Sequence, residues 1–185
     1  MSSTLIRLSL VIPAYNEEQL LPRLLGSVDV AREKWRHGPR AIEVIVADNL
    51  STDRTATIAK QRDCRVVEVE ERRIASVRNS GAAVAEGEIV CFVVADSEVH
   101  PVTFYAIVDS LASGRVVAGA TGVRMERWSP GIAVTWALFM PMVWLTRMDT
   151  GVVFCQREDF LAIGGYDERR FFAEDVQFLW DLRRI

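Results

Sequence analysis

The stretch "EIVCFVVADSEVH", residues 88–100, joins an apolar run to two carboxylates. The run over residues 89–94 is typical of a strand buried on both faces of a sheet. Asp96 and Glu98 follow it directly, with only Ser97 between them. Two negative charges this close repel each other unless a cation lies between them. The pair therefore either faces water or binds a metal.

Similar apolar runs recur along the chain and alternate with helical patterns. The predicted strands are residues 6–12, 42–47, 64–70 and 88–94. Between them the apolar residues follow helical spacing, as in Leu21, Leu24, Leu25 and Val28. Ser51 is a plausible N-cap of the second helix, and Gly87 is expected to close the third. This alternation predicts an α/β fold with a central, mostly parallel sheet and helices on both faces.

After residue 115 the alternation becomes less regular. Residues 116–125 and 151–156 predict two further strands, and residues 174–185 predict a helix that reaches the end of the chain. This last helix lacks a C-capping glycine or proline, so we expect the natural chain to continue. We expect one domain over residues 1–185, with a truncated C-terminal end.

The composition excludes several classes of protein. The chain has 185 residues, half of them hydrophobic, and a formal net charge of -3. It therefore lacks the basic balance of a nucleic-acid binder. Three widely spaced cysteines in apolar runs predict buried, reduced thiols and a cytoplasmic location. The first residues do not match the pattern of a signal peptide.

The longest apolar stretch covers residues 132–145. It is shorter than the roughly 20 residues that span a bilayer, and it contains Pro141. Its large side chains recur at helical spacing: Trp136, Phe139, Met140 and Trp144. We interpret the segment as a core helix, with an interfacial helix or the wall of a binding cleft as alternatives.

Polar side chains follow three predicted strands at their carboxyl ends, where open α/β sheets bind ligands. They are Tyr15, Asn16 and Glu17, then Asp48 and Asp53, and then Asp96 and Glu98. A single Asp after a strand is usually a turn residue, but polar side chains after three strands predict a binding site. The absence of GxGxxG after the first strand argues against a dinucleotide-binding dehydrogenase, and no lysine follows a glycine-rich loop as in a P-loop.

Four segments together resemble the family-2 glycosyltransferases of the GT-A fold. They are "SLVIPAYNEE" (9–18), "EVIVADNLSTDRT" (43–55), "RNSGAAVAEGEIVCFVVADSE" (78–98) and "GGYDERRFFAEDVQFLWDLRR" (164–184). The resemblance implies transfer of a sugar from a nucleotide-diphosphate donor, with inversion at the anomeric carbon. It also implies a divalent metal, Mn²⁺ or Mg²⁺, held by a DxD-like motif. A UDP- or GDP-sugar is the favoured donor. The resemblance does not determine the acceptor, and a lipid-linked acceptor is one alternative.

The resemblance also implies roles for individual residues. The donor-binding residues would be Pro13, Ala14, Tyr15, Glu17, Asp48, Arg78 and Asp96. Asp48 would contact the base, and Asp96 and Glu98 would form the metal motif. Asp175 would be the catalytic base, with Glu174 supporting it.

Three departures from the family pattern affect this reading. Glu98 stands where the family usually has Asp, which alters the metal geometry. Asn49 and Leu50 replace the commoner Asp-Gly, which alters the base preference. A QxxRW-type segment is absent from residues 1–185, so transfer of a single sugar is favoured over polymer synthesis unless that segment follows Ile185.

Two other functions are alternatives. The chain could be a non-catalytic nucleotide-sugar-binding domain or regulatory subunit, in which Glu98 marks lost catalysis. A nucleotidyltransferase would need a glycine-rich basic loop after the first strand, where this chain has the acidic "PAYNEE". We expect an enzyme in the cytoplasm or peripheral at the inner face of a membrane, and a homo-oligomer is compatible with the sequence.

Overall fold

The computed structural model describes residues 5–124, 126, 128–146, 151–170 and 174–185. These residues form a six-stranded sheet in the order β3-β2-β1-β4-β6-β5. The strands are β1 (Leu8–Ala14), β2 (Ile42–Asp48), β3 (Arg65–Glu68), β4 (Ile89–Phe92), β5 (Ala118–Ala120) and β6 (Val153–Gln156). β1 to β4 run parallel, and β6 is antiparallel to both β4 and β5. The predicted α/β fold with a mostly parallel sheet is confirmed.

Helices cover both faces of this sheet. They are α1 (Leu21–Glu33), α2 (Thr55–Gln61), α3 (Ile74–Ala83), α4 (Thr103–Ala112), α5 (Pro130–Thr146), α6 (Arg157–Ala162) and α7 (Glu174–Leu182), with a 3₁₀ turn at Pro39–Ala41. Leu8, Leu10 and Ile12 of β1 pack with α1, α2 and α4 on one face. Val11 of β1 packs with α3, α6 and α7 on the other. The alternation of side chains along a strand therefore gives β1 two buried faces.

Two predicted helix boundaries are wrong. α3 ends at Ala83, and Gly87 instead lies against β1, where its N–H donates to Ser9 Oγ at 2.8 Å. A Cβ on Gly87 would lie 2.7 Å from the backbone of Leu8, so this close approach requires glycine. α2 begins at Thr55, and Asp53 accepts the Thr55 N–H at 2.8 Å, so Ser51 is not its N-cap.

The apolar segment forms the predicted helix, α5, but the expected burial is wrong for the side chains that the structure describes. Trp136 is 43% exposed, and none of the described α5 residues belongs to the three buried core clusters. The side chains of Phe139 and Trp144 lie outside the described part of the chain. Among the described residues, no helix combines the length and apolar composition needed to cross a bilayer.

The close packing of α3 on β1 makes a testable prediction about two glycines. A Cβ on Gly81 would lie 2.5 Å from Cγ1 of Val11, while a Cβ on Gly26 of α1 would meet no atom within 4 Å. Gly81→Ala should therefore lower the free energy of unfolding by roughly 1–3 kcal/mol, because it overpacks the core. Gly26→Ala should raise it by up to about 1 kcal/mol through helix propensity. Urea unfolding measures both, and equal effects would contradict the packing described.

Candidate active site

The loops that follow β1 and β2 are joined by reciprocal hydrogen bonds. The Asn16 N–H donates to Ser51 Oγ at 3.0 Å, and the Thr52 N–H donates to Asn16 Oδ1 at 2.8 Å. The Glu17 N–H donates to Thr55 Oγ1 at 2.8 Å. Asn16 has a left-handed φ of 55°, which asparagine tolerates better than most residues. The two loops therefore form one connected rim at the carboxyl edge of the sheet.

A cavity of about 350 Å³ opens at this rim. Its lining residues are Pro13, Ala14, Tyr15, Glu17, Asn49, Arg72, Ile74, Val77, Val94, Ala95 and Asp96. The structure thus brings together five predicted donor-binding residues, namely Pro13, Ala14, Tyr15, Glu17 and Asp96. The volume lies in the range of small-molecule pockets.

The sequence reasoning missed one wall of this cavity. Arg72, Ile74 and Val77 come from the segment that follows β3 and from α3. The sequence analysis considered the carboxyl ends of the first, second and fourth strands. The carboxyl end of the third strand, where ligands also bind in open α/β sheets, leads directly into this segment. Asn49 was noted only as a departure from the family pattern. Its Nδ2 donates to the carbonyl oxygens of Val69 and Glu71, at 2.7 and 3.0 Å.

Asp48 lies behind the rim and is almost fully buried. Its Oδ2 accepts the Ser51 N–H at 3.3 Å. Its Oδ1 is buried and has no hydrogen-bond partner among the described residues. Buried polar atoms are rarely left unpaired, and this oxygen is such an exception among the described residues. Asp48 itself does not contribute to the cavity lining.

Negative charge accumulates at the cavity wall. The pKa of the Glu17 carboxyl is raised above its ordinary value, first by burial and then by repulsion from Asp96 and Asp53. The ionised form of Glu17 is therefore less favoured in the folded protein than in the unfolded chain. A bound cation would relieve this repulsion.

The two carboxylates of the predicted metal motif are in different surroundings. Asp96 lines the cavity, whereas Glu98 is outside the lining and forms an ion pair with Arg23 of α1. Arg23 also pairs with Glu126 at 2.9 Å. Within the described residues, no group of three or more His, Cys, Asp or Glu side chains could hold a metal by itself.

Asp96 nevertheless fits a cation that is shared with a diphosphate. Mg²⁺ in nucleotide sites is commonly bound by one or two carboxylates together with phosphate oxygens. Asp96 supplies one carboxylate on the cavity wall. Glu17, whose pKa is raised, lines the same cavity. Glu98 would supply a second only after separating from Arg23.

A second cluster joins α3 to the start of α7. Arg78 donates to both carboxylate oxygens of Asp175, at 2.8 and 3.2 Å, and its Nη1 lies 3.4 Å from Glu174. The Tyr166 hydroxyl donates to Asp175 Oδ1 at 3.1 Å. Burial raises the pKa of Tyr166 well above its ordinary value, so the phenol stays protonated and donates. Asp175 is thus held in one orientation.

Arg78, a predicted donor-binding residue, is not among the cavity-lining residues. Its guanidinium faces Asp175 and Glu174 instead. Its side chain is 7% exposed and lies over the Tyr166 ring, 5.0 Å from the centroid. Val77, the preceding residue, lines the cavity. Arg78 therefore follows a cavity-lining residue directly along α3.

The turn before α7 fixes Tyr166 against α3. Gly164 and Gly165 have φ angles of 78° and 77°, which favour glycine. A Cβ on Gly165 would lie 2.6 Å from Oδ1 of Asn79. Asn79 accepts the Tyr166 N–H at 2.9 Å and donates to the Tyr166 carbonyl oxygen at 2.9 Å.

The chain is similar to several known proteins. Validoxylamine A glucosyltransferase of Streptomyces hygroscopicus subsp. limoneus is 38% identical over 91 residues, which are 46% of this chain and 19% of that protein. The structure of S. aureus TarS with UDP-GlcNAc has a TM-score of 0.72 at 22% identity, covering 95% of this chain and 53% of that one. The mannosyltransferase PcManGT from Pyrobaculum calidifontis, with GDP-Man and Mn²⁺, has a TM-score of 0.70 at 21% identity, covering 91% and 50%.

The chain thus spans about half the length of these two solved chains and a fifth of the Streptomyces protein. Both structural likenesses show the fold, which is GT-A. The family model described as glycosyl transferase family 2 matches residues 9–156, most of the chain. The chain therefore belongs to glycosyl transferase family 2.

Proposed function

We propose that this chain transfers one sugar from a UDP- or GDP-sugar to an acceptor hydroxyl, with inversion at the anomeric carbon and with a divalent metal. One observation carries the proposal: α3 contributes Val77 to a cavity with Asp96 on its wall, and its next residue, Arg78, fixes the carboxylate of Asp175. Membership in the family supports the reaction class. The nucleotide-bound structures of TarS and PcManGT support the donor class, and the Mn²⁺ in the latter supports the metal.

The β1 and β2 loops would bind the nucleotide. Tyr15 is half exposed at the cavity, where its ring can lie against a base. The unpaired Asp48 Oδ1 can accept an N–H of the base. Pro13 and Ala14 provide a backbone wall at the end of β1, and Glu17 closes the side nearest Asp96.

Asp96, with Glu98 as a second carboxylate, would hold Mn²⁺ or Mg²⁺ together with the diphosphate. When bound, the metal would neutralise the negative charge that develops on the diphosphate leaving group. Arg23 would have to release Glu98 for this second carboxylate to take part.

Asp175 would remove the proton from the acceptor hydroxyl as that hydroxyl attacks the sugar. Its carboxylate is 30% exposed, which leaves room for an acceptor, while Arg78 and Tyr166 fix its orientation. A fixed orientation favours proton transfer, because the base does not have to be ordered during the reaction. Glu174 shares the charge of Arg78 and supports the position of Asp175.

The proposal also covers the domain and its location. Residues 1–185 would be one GT-A domain in the cytoplasm. The three cysteines are free and buried, and burial raises the pKa of Cys64 to about 11. Such thiols stay protonated, which suits a reducing compartment.

A non-catalytic nucleotide-sugar-binding domain remains the second candidate, favoured by the pairing of Glu98 with Arg23. Incubation with UDP- and GDP-sugars, with and without Mn²⁺, separates the two functions. We expect Mn²⁺-dependent release of free nucleotide. Donor binding without nucleotide release, even after long incubation, would favour the binding domain.

Donor binding compares the two motif carboxylates. Because Asp96 lines the cavity and Glu98 does not, Asp96→Asn should weaken Mn²⁺-dependent donor binding more than Glu98→Gln. Loss of one ligand of a shared cation typically costs about tenfold or more in affinity. Isothermal titration calorimetry measures both. An unchanged affinity in Asp96→Asn would remove it from the metal site.

Asp175→Asn tests the base. The substitution keeps the size of the side chain and removes its ability to take a proton, so turnover should fall on the order of 10²–10⁴-fold. Donor and metal affinity should stay near the parental values, because Asp175 does not line the cavity. Turnover close to that of the parent would assign the base to another residue.

The raised pKa of Glu17 predicts a pH-dependent stability. The folded-state pKa lies above the ordinary value of 4.5, so the parent loses stability as pH rises from that value through the folded-state pKa. Glu17→Gln removes the charge. Its melting temperature at pH 7.5 should therefore exceed that of the parent.

Scanning calorimetry without divalent metal measures this difference, which should disappear once the carboxyl is protonated in both states, below about pH 4. A variant that melts below the parent at pH 7.5 would show that Glu17 stabilises the fold as a carboxylate.

A further inference from the structure

Arg23 of α1 connects two segments that are distant from it in the sequence. Its guanidinium forms an ion pair with Glu98, which follows β4, and a second one at 2.9 Å with Glu126, between β5 and α5. About half or more of each of these side chains is exposed. Exposed ion pairs are weak, because water screens the charges and two long side chains must be ordered. The pair between Arg23 and Glu98 can therefore open when Glu98 meets a stronger partner.

The backbone beside Glu98 is attached to the same helix. The Val99 N–H donates to Ser27 Oγ of α1 at 2.9 Å, and the Val99 side chain is buried. Ser27 lies about one turn after Arg23 on α1. An exchange of partners by Glu98 would therefore need a rotation of its side chain and no displacement of the loop that carries it.

The other motif carboxylate has no such partner. Within the described residues, no hydrogen bond or ion pair engages Asp96, which lines the cavity together with Glu17. A cation at this wall would thus meet one available carboxylate and a second one, Glu98, that Arg23 holds. A guanidinium and a divalent cation that share one carboxylate repel each other, because both are positive. Arg23 and the cation would therefore compete for Glu98.

We propose that this competition makes the free protein a weak binder of the cation, so that the cation binds well only together with a nucleotide diphosphate. The inference rests on the proposed function in one respect, since it assumes that Asp96 and Glu98 hold the cation. The diphosphate oxygens add the ligands that two carboxylates lack. Glu126 keeps its pair with Arg23 after Glu98 leaves, which lowers the cost of the exchange.

Two features of the structure favour this role of Arg23 over direct contact with the nucleotide. Arg23 does not line the cavity, so its described position is not on the donor. Glu98 stands where family-2 members usually have Asp, and glutamate has the longer side chain of the two acids. The proposal accounts for this departure, because the longer side chain extends the reach of the carboxylate and Glu98 contacts α1.

Mn²⁺ titration of the full chain without nucleotide, followed by the paramagnetic resonance of free Mn²⁺, tests the proposal. Arg23→Gln removes the competing charge and should bind Mn²⁺ roughly twofold to fivefold more tightly, the effect of one exposed ion pair. Arg23→Lys keeps the charge and should stay closer to the parent. Arg54→Gln is the matched control, because Arg54 forms an exposed ion pair with Glu18 at 3.2 Å on the same rim, and it should bind like the parent.

Calorimetry of UDP and GDP binding, with a fixed Mn²⁺ concentration and without metal, provides a second measurement. With Mn²⁺, Arg23→Gln should bind the nucleotide more tightly, by up to the same factor, and without metal it should show no gain. In a Glu98→Gln background the gain from Arg23→Gln should disappear, because the carboxylate for which Arg23 competes is gone. Circular dichroism checks that each variant is folded.

Three results would overturn the proposal. Arg23→Gln could bind Mn²⁺ no more tightly than the parent or Arg54→Gln, or its gain could persist in the Glu98→Gln background. Weaker nucleotide binding by Arg23→Gln at fixed Mn²⁺ would instead make Arg23 a ligand of the diphosphate. Neither measurement uses a sugar donor, so a chain that shows the expected Mn²⁺ binding but releases no nucleotide from UDP- or GDP-sugars would contradict the proposed function alone.

Discussion

Main-chain hydrogen bonds pair β1 in parallel with β2 on one side and with β4 on the other. Because parallel strands end at the same edge, this pairing brings three loops together that are far apart in the sequence. Both faces of β1 are buried, so a shift of one residue would exchange Leu10 and Val11 between two different cores. The register is therefore fixed by packing, and with it the position of Asp96 relative to the rim.

The two halves of the candidate site, the cavity wall and the Asp175 cluster, differ in whether their carboxylates have a positively charged partner. Glu17 and Asp96 repel each other at the cavity wall, so a bound cation would be stabilised there. Asp175 already has Arg78 and Tyr166 as partners within the protein. Under the proposed function, the site would hold its base in place before the substrates arrive, and binding would offset the repulsion between the clustered acids.

The sheet was predictable because strands buried on both faces have a local signature, and the cavity residues because they follow those strands directly. The ion pairs that the charged side chains form were not predictable from the sequence. Arg78 meets Asp175 across 97 positions and Arg23 meets Glu98 across 75, and no local pattern encodes such pairs. For the same reason the sequence predicted Ser51 as a helix cap. Its hydroxyl oxygen instead accepts the N–H of Asn16, which is 35 residues away. For α5, apolar composition predicted the helix but could not show what covers it.

The way α7 attaches to the domain links the position of Asp175 to local stability. Tyr166 stacks on Phe178 of α7 with ring centroids 4.1 Å apart, and the same Tyr166 holds Asp175 and lies under Arg78. Docking of the last helix therefore also positions Asp175. Local opening of α7 would release Asp175 while the cavity walls that follow β1 and β4 stayed formed. Under the proposed function, a partly unfolded molecule of this kind would keep these walls of the nucleotide pocket but would have no group to activate an acceptor.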